Sequence, residues 1–367
     1  MFRQLARLRP RYGGRHVVTS TASEVGTTEC PPAHIPVLCK TAIEYLQPTP
    51  KARYLDMTFG AGGHTRCLLD ACPDLIVYAL DRDPVAYELA QRLKEDYPER
   101  LFPMLGKFSD VPKLLEAHGV ERHSLAGILF DFGCSSMQFD EAGRGFSVSK
   151  NGPLDMRMDR GRDQDGVTAA EVLAKIEEAD LARILRVYGE EKAAKKIARA
   201  VVEARSAFYP IETTQQLAEL VASCFSKANG EYVHRQDKLQ RPAHSATKTF
   251  QALRIFVNNE LNEINYGMLL AREFLRMQGR LVTITFHSLE DTIVKRHISG
   301  NVIEGLANPV PLKYSDHGVV HESDFVQSFV QSNWQQLHRH VIVPDAEEIA
   351  RNSRSRSAKL RAAIRIK

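Results

Sequence analysis

Apolar residues in this chain follow two rhythms, and their alternation predicts the architecture. Short unbroken apolar runs, as expected of strands buried on both faces, are each followed by a stretch with helical spacing. Residues 53–59, 75–80, 101–105 and 126–130 read as the first four strands. A glycine cluster and a helix near 65–71 follow the first strand. A helix opening at Pro84, a residue suited to a first helical turn, follows the second. Strand, helix and strand at this spacing predict a parallel sheet with right-handed crossovers. The expected class is α/β, a Rossmann-like doubly wound fold.

The next strand, 280–286, comes about 150 residues later, too far for one crossover and too far for a structureless loop. Helical patterns over 169–175, 178–187, 190–205, 214–225 and 247–269 fill most of the gap. Residues 140–245 therefore read as an all-helical domain inserted into the sheet domain, whose two parts are 34–139 and 246–367. Residues 300–335 lack periodicity and read as a variable loop, with Trp334 as a packing residue inside it. No internal repeat is present.

Composition adds constraints at the two ends. No apolar run approaches the roughly 18 to 20 residues that span a bilayer, so no membrane helix is predicted. The net charge of +4 is unevenly placed. Arg3, Arg7, Arg9, Arg11 and Arg15 precede the first acid, Glu24, among serines and threonines and without a long apolar stretch. Residues 1–33 thus read as a mitochondrial transit peptide, or else as a disordered basic leader. The stretch from Arg351 to Lys367 holds seven basic residues and no acid. It reads as a solvated tail that would attract a polyanion. The six cysteines show no CxxC pair and no zinc-like spacing, so no metal site is expected.

Candidate chemistry begins at Asp56-Met-Thr-Phe-Gly60-Ala-Gly62-Gly63-His64, between a strand and a helix. Glycines there let the backbone turn sharply and approach a ligand. Asp81 ends the second strand about 20 residues later, where an acid accepts hydrogen bonds from the ribose of a nucleoside cofactor. NAD is the competitor. The loop is not a clean G-x-G-x-x-G, and His64 stands where a pyrophosphate would need small residues. S-adenosylmethionine, which carries adenosine without pyrophosphate, fits better. The fourth strand runs into Asp131-Phe-Gly-Cys-Ser-Ser-Met-Gln138, at the carboxyl end where such sheets bind ligands. Asp131 could serve the methyl acceptor or the cofactor's amino acid. The Asp/Asn-Pro-Pro-aromatic pattern common among amino-group methyltransferases is absent. Asp-Phe-Gly alone does not make a kinase, since H-R-D and a kinase glycine loop in order are missing.

These motifs together resemble the bacterial RsmH (MraW) family, which methylates the N4 of a cytosine in small-subunit rRNA. The resemblance rests on His34-Ile-Pro-Val-Leu38, the glycine loop, Asp81-Arg-Asp-Pro84 and Asp131–Gln138. Arg144-Gly-Phe-Ser147, Gly152-Pro-Leu-Asp-Met-Arg-Met-Asp159 and Tyr188-Gly-Glu-Glu191 continue it. Thr247-Lys-Thr-Phe-Gln-Ala-Leu-Arg254, Phe286-His-Ser-Leu-Glu-Asp291 and Arg354-Ser-Arg-Ser-Ala-Lys-Leu-Arg361 complete it, in family order over nearly all the chain after residue 33. Arg241–Ala246 and 300–335 depart from the pattern.

The resemblance implies a class I methyltransferase fold with S-adenosylmethionine contacts at Gly62, Gly63, His64, Asp81, Phe108, Asp131 and Gln138. With the arginine-rich leader, it implies a mitochondrial matrix member acting on 12S rRNA or on an assembling small ribosomal subunit. Asp131, Asp155 and His287 are the catalytic candidates, and Arg354, Arg356 and Arg361 the RNA-binding ones. Asp155 is equally read as part of a structural loop, His287 as a structural strand end, and Arg254 as a surface salt bridge. Two rival functions stay open. One is an RNA-binding assembly factor with little or no catalysis. The other is a methyltransferase acting on protein or on a small molecule.

Overall fold

The computed structural model describes residues 35–225, 235–236, 242–300 and 333–367. The expected leader, nearly all of the expected 300–335 loop, and Arg241 lie outside these residues. The described ones belong to one unit, His34–Lys367.

In chain order the elements are α1 (Cys39–Leu46), β1 (Arg53–Asp56), α2 (Gly63–Ala71), β2 (Ile76–Asp81), α3 (Pro84–Asp96), β3 (Leu101–Leu105), α4 (Val111–Ala117) and β4 (Leu125–Asp131). Then come α5 (Ser136–Asp140), α6 (Ala169–Lys175), α7 (Glu178–Tyr188), α8 (Ala194–Ser206) and α9 (Thr214–Ser223). A short hairpin of β5 (Arg235–Gln236) and β6 (Pro242–Ala243) leads to α10 (Thr247–Asn258) and α11 (Glu260–Phe274). The chain closes with β7 (Leu275–Thr285), α12 (Ser288–Ile298), β8 (Trp334–Gln336), α13 (Ala346–Arg351) and β9 (Lys359–Arg365).

The main sheet has the order β3-β2-β1-β4-β7-β9-β8. Its first five strands are parallel, and β9 runs antiparallel to both neighbours. The fold is thus the expected α/β one with a mostly parallel sheet. Strand order reverses between β1 and β4, and ligands of such sheets bind at the carboxyl ends flanking that reversal. Apolar side chains cover both faces. Leu55, Ile128 and Phe130 join one core cluster, whereas Tyr54, Val77 and Leu129 join the other. That two-sided burial explains why the strands read as unbroken apolar runs.

A third core lies apart from the sheet. Leu173, Leu185, Ile197, Val201, Leu217 and Val221 from α6–α9 pack with Phe250 and Leu253 of α10 and with Met156 and Met158. A buried charge cluster joins this helical core to the sheet, beside α10, which gives Ile255 to the first core and Phe250 and Leu253 to the third. Asp83 caps α3 by accepting from the Val85 N–H at 3.1 Å. The Arg144 guanidinium donates to Asp83 Oδ2 at 2.6 Å and to the Met158 carbonyl at 2.8 Å. The Gln138 amide donates to the same carboxylate at 3.0 Å. Asn258, ending α10, holds Met156 and Met158 through their backbone at 2.7 and 2.9 Å. Gly152 packs against the Ala142 backbone, where a Cβ would lie 2.0 Å from the carbonyl oxygen.

The structure departs from the sequence reading at four places. The 247–269 pattern is two helices, because Asn259 takes a left-handed φ of 52° between them. Residues 190–193 are not helical, and Glu190 has a φ of 48°. Strand β7 begins at Leu275, where a register shift pairs Leu125 with Leu275 and Gly127 with Arg280. The basic C-terminal stretch is no solvated tail, since β9 lies inside the sheet with Leu360 and Ala363 fully buried. Trp334, the first residue of β8, is buried in the core.

Breaking a buried ion pair by removing one partner leaves an uncompensated charge. Arg144→Ala is therefore expected to lower unfolding stability by about 3–5 kcal/mol, measured by urea denaturation. A loss within experimental error would show that water or Arg160, whose Nε lies 3.8 Å from Asp83, replaces the clamp.

Candidate active site

Five backbone segments converge at the carboxyl end of the sheet around a cavity of about 590 Å³. That size suits a ligand as large as a nucleoside with a side arm. The first segment is the glycine loop. Asp56 ends β1 fully buried and accepts from Thr65 Oγ1 at 2.6 Å and from the Thr58 N–H at 3.0 Å. These bonds fix the loop onto the start of α2. Gly60 and Gly62 have φ values of 56° and 81°. A Cβ on Gly62 would lie 2.6 Å from the Phe59 ring, and one on Gly63 would lie 2.9 Å from Pro36. Conformation thus favours glycine at Gly60, space at Gly63, and both at Gly62.

The second segment is the end of β2. Asp81 Oδ2 accepts from the Gly60 N–H at 2.7 Å, and Oδ1 from the Asp83 N–H at 2.9 Å. Burial pushes this carboxyl up to about 6, against the pull of those two amides and with the help of nearby Asp83 and Asp56. The third segment, after β3, places Phe108 in the cavity wall, edge-on to Phe130 at 5.5 Å. Ile264 of α11 lines the same wall.

The fourth segment is the end of β4. The Asp131 N–H donates to Thr58 Oγ1 at 2.6 Å, tying β4 to the glycine loop. Its side chain is 23% exposed, yet Oδ1 is sealed from water with no hydrogen-bond partner among the described residues. Burial, then the negative charges of Asp56 and Glu290, raise the Asp131 pKa well above 3.8. His64 Nδ1 lies 3.7 Å from Asp131 Oδ2, and its Nε2 is 2.9 Å from the Val37 carbonyl. The fifth segment is the turn before β9, from which Asn352 and Arg354 reach the mouth.

The sequence-selected residues therefore divide. Gly63, His64, Asp81, Phe108, Asp131 and Gln138 line the cavity, and Gly62 supports them from behind. Gln138 spends its amide on Ser135 and Asp83, so it shapes the wall. Asp155 is outside the lining and chelates Arg157 at 2.7 and 2.9 Å. Burial works against ionisation of Asp155, but that guanidinium holds its pKa below the ordinary value. His287 caps α12, with Nε2 2.9 Å from Glu290 Oε1, while its neighbour Phe286 lines the cavity. Arg354 is at the mouth, paired with Asp140 at 2.7 Å. Arg356 is exposed, and Arg361 lies within β9, bonded to Asp291 at 2.8 and 3.2 Å.

The sequence reading missed the charged floor of the cavity. Arg254 is not a surface residue. It is 12% exposed and donates to both Glu260 oxygens, at 2.8 and 2.9 Å. Glu260, His287 and Glu290 place three ligand-type atoms within 4.8 Å of one another. Arg254 already stands against both carboxylates, with Glu290 at 3.9 Å. The signal available in sequence was Asn259, a residue tolerant of left-handed φ inside an otherwise continuous helical pattern.

A raised carboxyl pKa has a defined consequence for stability. Asp131 contributes stability that is complete below 3.8 and is lost as pH rises through its elevated folded-state value. Asp131→Asn should therefore flatten the decline in melting temperature as pH rises above 3.8, checked by thermal denaturation from acid to neutral pH. An unchanged pH slope would mean that the carboxylate is ionised in the folded protein.

The MraW methylase family profile matches residues 32–366. A Drosophila melanogaster protein named probable methyltransferase-like protein 15 homolog is 65% identical over 345 residues, covering 94% of this chain and 95% of that one. The human 12S rRNA N(4)-cytidine methyltransferase is 50% identical over 339 residues, covering 91% and 83%. The ribosomal RNA small subunit methyltransferase H of Parvibaculum lavamentivorans is 41% identical over 333 residues, covering 90% and 89%. With the match running almost end to end and the glycine loop, Asp81 and Asp131 meeting in one cavity, the chain belongs to the MraW methylase family.

Proposed function

We propose that this chain transfers a methyl group from S-adenosylmethionine to the N4 amine of a cytidine in mitochondrial 12S rRNA, as free RNA or within an assembling small subunit. We place it in the mitochondrial matrix. The observation that carries this reading is the convergence of Asp81, Phe108 and Asp131 on one cavity in a chain half identical to the human enzyme named for that reaction.

The cavity suits the donor. Asp81 offers remaining lone pairs for ribose hydroxyls, Phe108 and Ile264 offer an apolar slot for adenine, and the glycine loop lets the ligand lie against the backbone. Bound there, the sulfonium supplies an already electrophilic methyl group. The protein's task is the acceptor, because the lone pair of a cytosine amine is delocalised into the ring. Asp131, whose partly exposed side chain lines the cavity, is the acceptor offered to an N4 hydrogen. A hydrogen bond there concentrates electron density on the nitrogen and leads the departing proton to a carboxylate of raised basicity. Phe132 and Phe286 exclude water from the neighbouring wall. We assign the Arg254–Glu260–Glu290–His287 cluster the role of holding that floor rigid, and the helices of 140–245 the role of presenting RNA to the mouth.

Purified protein incubated with S-adenosylmethionine and small-subunit rRNA should yield N4-methylcytidine by nucleoside mass spectrometry. Asp131→Ala should reduce the rate by about 100-fold or more while leaving donor affinity within a few-fold. Wild-type protein that binds donor and RNA yet forms no N4-methylcytidine would leave the assembly-factor or other-substrate readings in its place.

A further inference from the structure

Between α8 and α9 the chain forms a tip, residues 206–210, that is exposed throughout. Phe208 is 92% exposed and Tyr209 66% exposed. Phe208 has a φ of 60°, a left-handed conformation that bulky residues avoid. The tip is held in this form by its backbone. The Phe208 N–H donates to the Arg205 carbonyl at 3.1 Å, and the Tyr209 N–H donates to the Ala204 carbonyl at 3.0 Å. The backbone thus carries two adjacent aromatic side chains into water rather than onto the third core.

The tip is also tied to the mouth of the cavity. The Leu154 N–H donates to the Glu212 carbonyl at 2.8 Å, and Pro153 pairs with Thr213. Thr214 Oγ1 accepts from the Gly152 N–H at 3.1 Å and donates to the Lys150 carbonyl at 2.7 Å. Lys150 lines the cavity at its rim. Thr213 lies four positions after Tyr209, which limits their separation to about 14 Å. At that rim, Lys150 and Arg354 share the one carboxylate of Asp140, at 3.6 and 2.7 Å, so the rim keeps an excess positive charge. Lys195 and Lys196 are exposed on α8, the helix that leads to the tip.

We propose that Phe208 and Tyr209 form a stacking platform for unpaired bases of the rRNA strand that flanks the target cytidine. The proposal rests on the rRNA substrate assigned above and adds where that substrate is gripped. Sequence-specific enzymes take RNA as single strands whose splayed bases stack on aromatic rings, with cations following the phosphates. An exposed aromatic pair beside a positive rim supplies both parts. Two rings on a narrow loop form too small an apolar patch for a stable protein interface by themselves. RNA bases need only the rings.

The test uses the full chain and a fluorescent single-stranded small-subunit rRNA fragment that wild-type protein methylates. Replacing both rings, Phe208→Ala with Tyr209→Ala, should weaken RNA binding and raise the KM for RNA by about tenfold or more. S-adenosylmethionine affinity, melting temperature and the salt dependence of RNA binding should stay at wild-type values, because stacking involves no ion pair. Phe208→Trp should retain wild-type affinity. Unchanged RNA affinity and KM in the double variant, with wild-type protein fully active, would overturn the platform alone. A double variant that loses only self-association in sedimentation would assign the tip to a second copy of the chain and likewise overturn it. Wild-type protein that binds no rRNA would overturn this proposal and the functional reading together.

Discussion

One carboxylate organises the crevice. Asp81 accepts from Gly60 and Asp83 at 2.7 and 2.9 Å, and so joins the glycine loop after β1 to the turn that starts α3. Both amides point at a group whose burial would otherwise favour the neutral acid. The loop cannot drift from β2 without leaving a half-buried carboxylate oxygen unpaired, which costs free energy in a partly desolvated site. The loop in turn supplies Thr58, whose hydroxyl receives the Asp131 N–H. Three strand ends are therefore locked in register before any ligand arrives. This is preorganisation in the sense that matters for methyl transfer, where alignment of reacting atoms carries much of the barrier reduction.

The same region couples the sheet to the helices beyond it. Asp83 caps α3 and receives Arg144 and Gln138, whose positions are fixed by the segment that opens the helical tract. Arg82 donates to the Asn258 carbonyl at 3.0 Å, and Asn258 holds Met156 and Met158. Disturbance of the third core would thus reach Asp83 and the neighbouring Asp81 through hydrogen bonds, alongside α10 and Tyr188, whose side chains meet both cores. The Gly152–Asp159 motif, singled out for its charged residues, earns its place mainly through this coupling: Met156 and Met158 are core side chains, and Asp155 is spent on Arg157.

Legibility in the sequence followed the physics of each element. Strands β1 to β4 were readable because both faces are buried, and the glycine loop with Asp81 because close backbone approach and a strand-end acid leave a compositional trace. Strand β9 was hidden. Its Lys359, Arg361 and Arg365 suggest a solvated tail, yet Ala362 and Ala363 fit between β7 and β8 while Asp291 neutralises Arg361. Residues 276–278 disguised the start of β7, being exposed and polar apart from Met277. The Arg254–Glu260 pair was invisible for a different reason. The two residues are six apart across a helix break at Asn259, not at the spacing that places partners on one helix face.

The role proposed for Asp81, taking the ribose of the methyl donor, is tested most directly by calorimetric titration of S-adenosylmethionine into the purified chain. It predicts one-site binding at neutral pH that weakens as pH falls through about 6, where the free carboxyl takes up a proton and ceases to accept two hydroxyl hydrogens. Asp81→Ala should abolish the heat while leaving a folded protein. Binding of undiminished affinity in that variant, or no binding by the wild-type chain at any pH, would contradict it.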